Sequence, residues 1–327
     1  MTAASPQGGG YRHEALFYAS SEDFLRQSVA FVEEGIAADE AVLIALPRHS
    51  RELLREALGP AVERVQMLEM EEAGRNPGRL ISTWRDLLDG IGSSGKRVRG
   101  LGEPVWADRS PAEIDECHRH ECLINLAFGG EPGLTFLCPY DVSTLDDETI
   151  AEAERTHSQP IGRPAAEFAD LLSGSLPEPD GPAATMCFGK ADLREVRRLV
   201  SERAGTAGLD ARRGEDLVLA VCEIATNSVQ HGGGEGNLRI WDEEGELVCD
   251  VRDAGRIRNP LAGRERPPVE QPGGRGLWIA NQLCDLVQVR SGEDGTHVRL
   301  RMSLGTEAED EPSPAQRYDG TRAQQRH

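Results

Sequence analysis

Glu223-Ile224-Ala225-Thr226-Asn227, Asp253-Ala254-Gly255, Gly273-Gly274-Arg275-Gly276-Leu277 and Gly295-Thr296 follow one another in the last third of the chain, and their joint reading decides the fold. Around the first of them, residues 213–231 place apolar side chains at Leu217, Val218, Val221, Ile224, Ala225 and Val229. That spacing is helical rather than alternating and gives one face able to pack on a sheet. Glu223 and Asn227 stand four apart, so both side chains project from one face, nearly one above the other. A carboxylate and an amide so placed suit two jobs beside a triphosphate. The amide oxygen of Asn227 can ligate Mg²⁺, which prefers oxygen donors. Glu223 can orient or deprotonate an incoming nucleophile. The plainer alternative is a solvated glutamate and an asparagine near a helix end, ahead of the helix-stopping Gly232-Gly233-Gly234. The three motifs downstream weigh against it.

Asp253 follows the strand-like Leu247-Val248-Cys249-Asp250-Val251. By itself Asp-Ala-Gly is a common turn between strands. Residues 256–271 are irregular, with Asn259-Pro260 and Pro267-Pro268, and lead to Gly273-Gly274-Arg275-Gly276, which opens a helix expected over residues 277–286. Glycines ahead of a helix N-terminus expose backbone N–H groups to a phosphate, and the helix dipole favours the anion. Arg275 can add a charged contact or point to solvent. Residues 295–300 read as a closing strand.

This ordered set resembles the GHKL ATP-binding fold shared by gyrase, a heat-shock chaperone, histidine kinases and MutL. Within that group it is most similar to the bacterial anti-sigma-factor serine/threonine kinases. The resemblance implies ATP and Mg²⁺ as cofactors, Glu223 as catalytic residue and Asn227 as the metal ligand. It implies that Asp253 accepts a hydrogen bond from the adenine amino group while Gly255 lets the backbone approach the ring. Residues 256–271 would be a mobile lid, Gly273, Gly274, Arg275, Gly276 and Leu277 the phosphate loop, and Thr296 an adenine-side contact. Relatives carry a second glycine two residues after the first, where this chain has Arg256-Ile257.

A competing nucleotide motif is absent. Gly92-Ser93-Ser94-Gly95-Lys96-Arg97 has the look of a Walker A sequence, but its spacing is too short and Arg97 replaces the Ser or Thr that would hold Mg²⁺. It reads as a loop with a basic end.

The first half alternates strand and helix signals. His13-Glu14-Ala15-Leu16-Phe17-Tyr18 begins as a strand, and a helix carrying Phe24, Leu25, Val29, Phe31 and Val32 is expected to end at Gly35. Residues 41–47 are a buried-strand run, residues 50–58 helical, and residues 134–141 a further strand ending in a turn. Such alternation implies a parallel sheet covered on both faces. The opening segment, Gly102-Glu103-Pro104-Val105-Trp106 and Cys138-Pro139-Tyr140-Asp141 together resemble the sensory domain named after methanogens and methylotrophs, which implies a RecA-like architecture. The fold expected is therefore an α/β N-terminal domain with a parallel sheet, plus an α+β two-layer sandwich of the GHKL type. The divisions are residues 1–10 disordered, 11–172 sensory, 173–185 a Pro/Gly/Ser-rich linker, 186–304 the ATPase-like domain and 305–327 a disordered tail.

Composition bounds the rest. At 327 residues the chain can hold two cores. A net charge of −20 argues against a nucleic-acid surface and disfavours anionic membranes. No apolar run of about 18 residues and no signal-peptide pattern is seen, so neither membrane nor export is expected. The seven cysteines are scattered without a Cys-x-x-Cys pair and read as reduced core thiols of a cytoplasmic protein. On a helix, Cys117-His118-Arg119-His120-Glu121-Cys122 would set Cys117 beside Glu121 and His118 beside Cys122, a conceivable metal arrangement. With no second ligand cluster evident, a structural helix is the preferred reading.

Three functions are compared. The first is a regulatory serine/threonine kinase that holds a sigma factor and phosphorylates an anti-sigma antagonist protein, with a homodimer left open. The second is a histidine kinase, disfavoured because Pro160 and Pro164 interrupt the stretch after His157, the nearest upstream histidine. The third is a non-catalytic ATP-binding module.

Overall fold

The computed structural model describes residues 10–91, 95–157, 171–268 and 273–305. The N-terminal nine residues, the tail from residue 306 and residues 92–94 lie outside that set, so the disorder expected at both ends and part of the Walker-like loop are not addressed. The chain divides into two compact units, Met1–Ser173 with Ile257–Glu270, and Gly174–Arg256 with Gln271–His327.

Unit 1 runs β1 (Arg12–Tyr18), α1 (Ser21–Ala37), β2 (Ala41–Leu46), α2 (Arg48–Leu58), β3 (Val65–Glu69), α3 (Met70–Ala73), α4 (Leu80–Ile91), β4 (Val98–Gly102), α5 (Pro111–Phe128), β5 (Leu134–Asp141) and α6 (Asp147–His157). The five strands form one parallel sheet in the order β1-β5-β4-β2-β3. Successive side chains of a strand face opposite ways, so β2 feeds two cores. Val42, Ile44 and Leu46 pack with Phe24, Val32 and Leu54 on one side. Leu43 and Ala45 pack with Trp84, Leu123, Phe128 and Phe136 on the other. That explains why 41–46 is apolar at every position.

One local reading in unit 1 needs correction. Helix α1 passes through Gly35 and ends at Ala37. Gly35 is there for close packing: a Cβ on it would lie 2.8 Å from Arg99 Cδ and 2.9 Å from Val42 Cγ2. The cysteine- and histidine-rich stretch does lie on a helix, α5, whose start is fixed by Pro111 in its first turn and a reciprocal Ser110–Glu113 capping box.

Unit 2 runs β6 (Ala184–Gly189), α7 (Leu193–Ala207), α8 (Ala211–His231), β7 (Glu235–Glu243), β8 (Glu246–Asp253), α9 (Gly276–Leu283), β9 (Leu286–Gly292) and β10 (Gly295–Ser303). Its sheet is antiparallel, in the order β6-β7-β8-β10-β9. Helices α7, α8 and α9 bury Val196, Val200, Leu217, Val221, Ile224 and Ala280 against Leu238, Ile240, Cys249, Val251, Val298 and Leu300. This is a two-layer sandwich with helices on one face. Helix α9 is shorter than expected: Cys284 turns to an extended backbone, and β9 begins at Leu286.

The other face of this sheet is charged. Asp250 is fully buried and takes contacts from His297, Arg239 at 2.6 Å and Arg299 at 3.4 Å. Burial pushes its carboxyl up, but these partners outweigh the penalty and hold it down at about 2. The chain before β6 lies on the same face: Glu178 pairs with Arg239 and Arg252, and Pro177 O accepts from Arg299 at 2.8 Å. No helix among the described residues is long and apolar enough to cross a membrane.

Candidate functional site

The motif residues of unit 2 gather at one end of its sheet, with α8 as the spine. Asp210 caps α8 by accepting from Arg212 N and Arg213 N. Seven of its residues, from Leu217 to Ser228, are buried, and this fixes which side faces away from the sheet. Glu223 and Asn227 are half-buried on that helix. The start of α9 presses against them: a Cβ on Gly276 would sit 2.7 Å from Asn227 Nδ2 and 3.3 Å from Glu223 Oε2. A glycine is therefore required where the two helices meet. Gly273 and Gly274 precede it, exposed and with φ of +85° and +76°, a conformation that costs glycine little. Arg275 is half-buried and sits at the N-cap position, and Leu277 packs against the unit's core.

One residue along α8, a second group forms. Ser228 donates to Asp253 Oδ2 at 2.6 Å, and Gly255 N donates to Oδ1 at 2.8 Å. A carboxylate accepts about four hydrogen bonds, so Asp253 retains capacity for a further donor. Thr296 lies directly opposite Asp253 across the β8–β10 pair. Its hydroxyl donates to Gly255 O at 2.9 Å and contacts Ser291 Oγ at 2.8 Å. Gly295, with φ of +110°, lets the strands close here: a Cβ would lie 2.1 Å from Asp253 O.

All ten residues singled out in the sequence thus fall into two neighbouring groups. Glu223 and Asn227 sit with the glycine-led start of α9, while Asp253, Gly255 and Thr296 share a hydrogen-bonded corner. Ser228 and Ser291 were not singled out. Each is an ordinary serine in a helix or strand, and only the fold reveals that it holds Asp253 or Thr296.

Most of the expected lid lies outside unit 2. Its described part, residues 256–268, holds no helix or strand, and the Asn259 side chain there accepts from Leu261 N at 3.0 Å. Ile257–Glu270 belongs to unit 1. There Leu261 packs against the core beside α5, and Arg264 forms a buried 2.7 Å ion pair with Glu116. A buried pair of this kind is costly to break, because one charge would be left without compensation.

In unit 1 the six-residue stretch on α5 does not make a ligand set of its own. Cys117 donates to Pro104 O, and Cys122 lies 3.6 Å from Thr156 Oγ1. Glu121 instead meets His13, Cys138 and His157. None of the seven cysteines is in a disulfide, and Cys187 is exposed rather than a core thiol. At the end of β4, Glu103 is buried and accepts from Tyr18 at 2.7 Å. Burial raises its carboxyl to about 7.

Residues 12–158 match the MEDS family, the methanogen/methylotroph, DcmR sensory domain. Residues 189–302 match the histidine kinase-like ATPase domain. Among curated proteins, the chain is similar to a serine-protein kinase RsbW of Bacillus licheniformis, 26% identical over 170 residues, covering 47% of this chain and 97% of the relative. A second RsbW from that species is 25% identical over 169 residues, with the same coverage. A solved structure of the RsbU and RsbW domains of Rv1364c from Mycobacterium tuberculosis matches 40% of this chain and 35% of its own at 20% identity. Its TM-score is 0.29. The chain joins a MEDS sensory domain to a histidine kinase-like ATPase domain.

Proposed function

We propose that this protein is an ATP-dependent anti-sigma regulator, a serine/threonine kinase whose second unit binds Mg·ATP, holds a sigma factor and phosphorylates an anti-sigma antagonist. The observation that carries the reading is the packing of Gly276 against Glu223 and Asn227, beside the corner formed by Asp253, Gly255 and Thr296. The similarity to RsbW kinases over nearly their whole length supports it. So do the cysteines, none of them in a disulfide, which suit a cytoplasmic setting.

In this reading Asn227 supplies an amide oxygen to Mg²⁺. Asp253, held by Ser228 and the Gly255 N–H, receives the adenine amino group, and Thr296 fixes the Gly255 carbonyl beside it. The N–H groups before α9 take the phosphates. Glu223, four residues from Asn227, would accept the proton of the attacking serine or threonine hydroxyl as its oxygen bonds to the γ-phosphorus and the bond to the β,γ-bridging oxygen breaks, with ADP as the leaving group. Phosphoryl transfer asks chiefly for positioning and charge neutralisation, and these groups provide both. The parallel sheet of unit 1 supports a RecA-like sensory domain. Control by that domain is supported by Ile257–Glu270, which lies between the nucleotide motifs in sequence and belongs to unit 1.

Labelled ATP, Mg²⁺ and a candidate antagonist test the proposal together. Acid-stable label on the antagonist is the expected result. Acid-labile label on the protein itself would mark a histidine kinase, and ATP binding with no transfer would leave a non-catalytic module.

A further inference from the structure

Four side chains from four elements meet inside unit 1: His13 of β1, Glu121 of α5, Cys138 of β5 and His157 at the end of α6. One ligand-capable atom of each lies within 4.8 Å of all the others. His13 Nε2 is 3.1 Å from Glu121 Oε2 and 3.2 Å from Cys138 Sγ, and His157 Nε2 is 3.2 Å from the same carboxylate oxygen. The four side chains are almost wholly shielded from solvent.

Their outer partners fix which ring nitrogen faces inward. His157 Nδ1 lies 2.8 Å from Ala153 O, a carbonyl that can only accept, so Nδ1 carries the proton. His13 Nδ1 lies 3.1 Å from Asn125 Oδ1, which also accepts from Tyr11 at 3.2 Å, so this ring too is protonated at Nδ1. In the neutral rings both Nε2 atoms then aim bare lone pairs at a carboxylate. Among the described residues, neither Glu121 oxygen nor His157 Nε2 makes a hydrogen bond. Two lone pairs, a carboxylate and a thiol converge with nothing positive between them. The opposite solution, two imidazolium rings at 4.2 Å, would press like charges together in the interior.

We propose that His13 Nε2, His157 Nε2, Cys138 Sγ and one Glu121 oxygen bind a single divalent transition-metal ion, zinc in the first instance. Tetrahedral zinc at about 2.0–2.3 Å from its ligands sets them about 3.3–3.8 Å apart, a small adjustment from the spacing present. Two imidazoles, a thiolate and a carboxylate suit Zn²⁺ or Co²⁺ and not Mg²⁺ or Ca²⁺. The Asn125 side chain and the Ala153 carbonyl orient the two rings in the manner of groups behind metal ligands. A set of four protein ligands leaves no open position and ties β1, β5, α5 and α6 together. The Cys138 proton leaves to solvent on binding.

The test uses tag-free, chelator-treated full-length protein titrated with Co²⁺. The expected result is one tightly bound equivalent with tetrahedral d–d bands and a thiolate-to-cobalt charge-transfer band, displaced by Zn²⁺. Cys138→Ser should lose the charge-transfer band, and His157→Gln should weaken binding by about tenfold or more. If either variant fails to fold, the wild-type spectrum decides by itself. Wild type that binds no equivalent, or binds cobalt without the thiolate band, overturns the proposal. So does a folded Cys138→Ser protein with an unchanged spectrum.

Discussion

The two clusters of chemistry-bearing residues in this molecule are assembled by opposite routes. In unit 2, Glu223, Asn227 and Ser228 lie within two turns of one helix, and the remaining groups come from short motifs at a strand end, a helix start and a strand start. In unit 1, His13, Glu121, Cys138 and His157 come from four elements spread over most of the domain, and a parallel sheet with covering helices brings them together. Two buried acids, one in each unit, also differ. Asp250 in unit 2 is surrounded by His297, Arg239 and Arg299 and stays ionised. Glu103 in unit 1 accepts a hydrogen bond from the Tyr18 hydroxyl, and burial keeps it protonated up to about 7. Asp250 is neutralised by paired side chains, whereas Glu103 and the cluster around Glu121 are buried groups that call for a proton or a cation.

The largest effect expected from this contrast is on transfer. Glu223→Ala should lower phosphorylation of the antagonist by about two orders of magnitude or more while ATP affinity stays near normal, because a general base acts on the transition state. Single-turnover assays beside equilibrium titration read both quantities. Transfer at the wild-type rate would make Glu223 a helix residue only.

Asp253→Asn should come next. The substitution can turn an N–H₂ toward the adenine amino group and weakens the acceptor for Ser228 and Gly255. Nucleotide affinity should fall by roughly tenfold to a hundredfold, or about 1–3 kcal/mol. Lost thermal stability with unchanged affinity would reduce the motif to a turn.

The third prediction concerns the buried acids and has two signs. The folded state keeps Glu103 protonated up to about 7, whereas the unfolded chain releases that proton at the ordinary carboxyl value. The folded state therefore binds the extra proton between those values, and stability falls as pH rises across the window. Glu103→Gln should flatten that slope by about 2 kcal/mol between roughly pH 5 and 7, as read from denaturant midpoints. Asp250, with its carboxyl depressed to about 2, acts in the other direction: its stabilisation is full above the ordinary value and lost as pH falls toward about 2. A Glu103→Gln slope equal to wild type would remove the contrast.

These differences explain what could be read from the residues alone. Helical spacing around Glu223 and the glycines ahead of α9 are local signals, and the two-layer unit with its motif corner follows from them. The apolar run 41–46 and the strand-like 134–141, set between helical segments, likewise announced a covered parallel sheet. Gly35 misled because a glycine inside a helix and one that ends it look alike until the neighbouring Arg99 and Val42 are in place. The metal-like stretch on α5 offered five candidates, yet only Glu121 points to the cluster, since its partners depend on which strands neighbour one another. Arg264 was equally illegible: nothing local to it indicates a buried partner at Glu116, 148 residues away.

The central claim is that the four motifs of unit 2 form one Mg·ATP pocket, and calorimetric titration of Mg·ATP into wild-type and Asn227→Ala protein tests it most directly. Asn227 lies on a half-buried helix face that tolerates a smaller side chain, so the variant should keep its fold and thermal midpoint. The account predicts one bound equivalent for wild type and loss of measurable Mg·ATP binding in the variant. Equal affinity in the two proteins, or a wild type that binds no nucleotide, would contradict it.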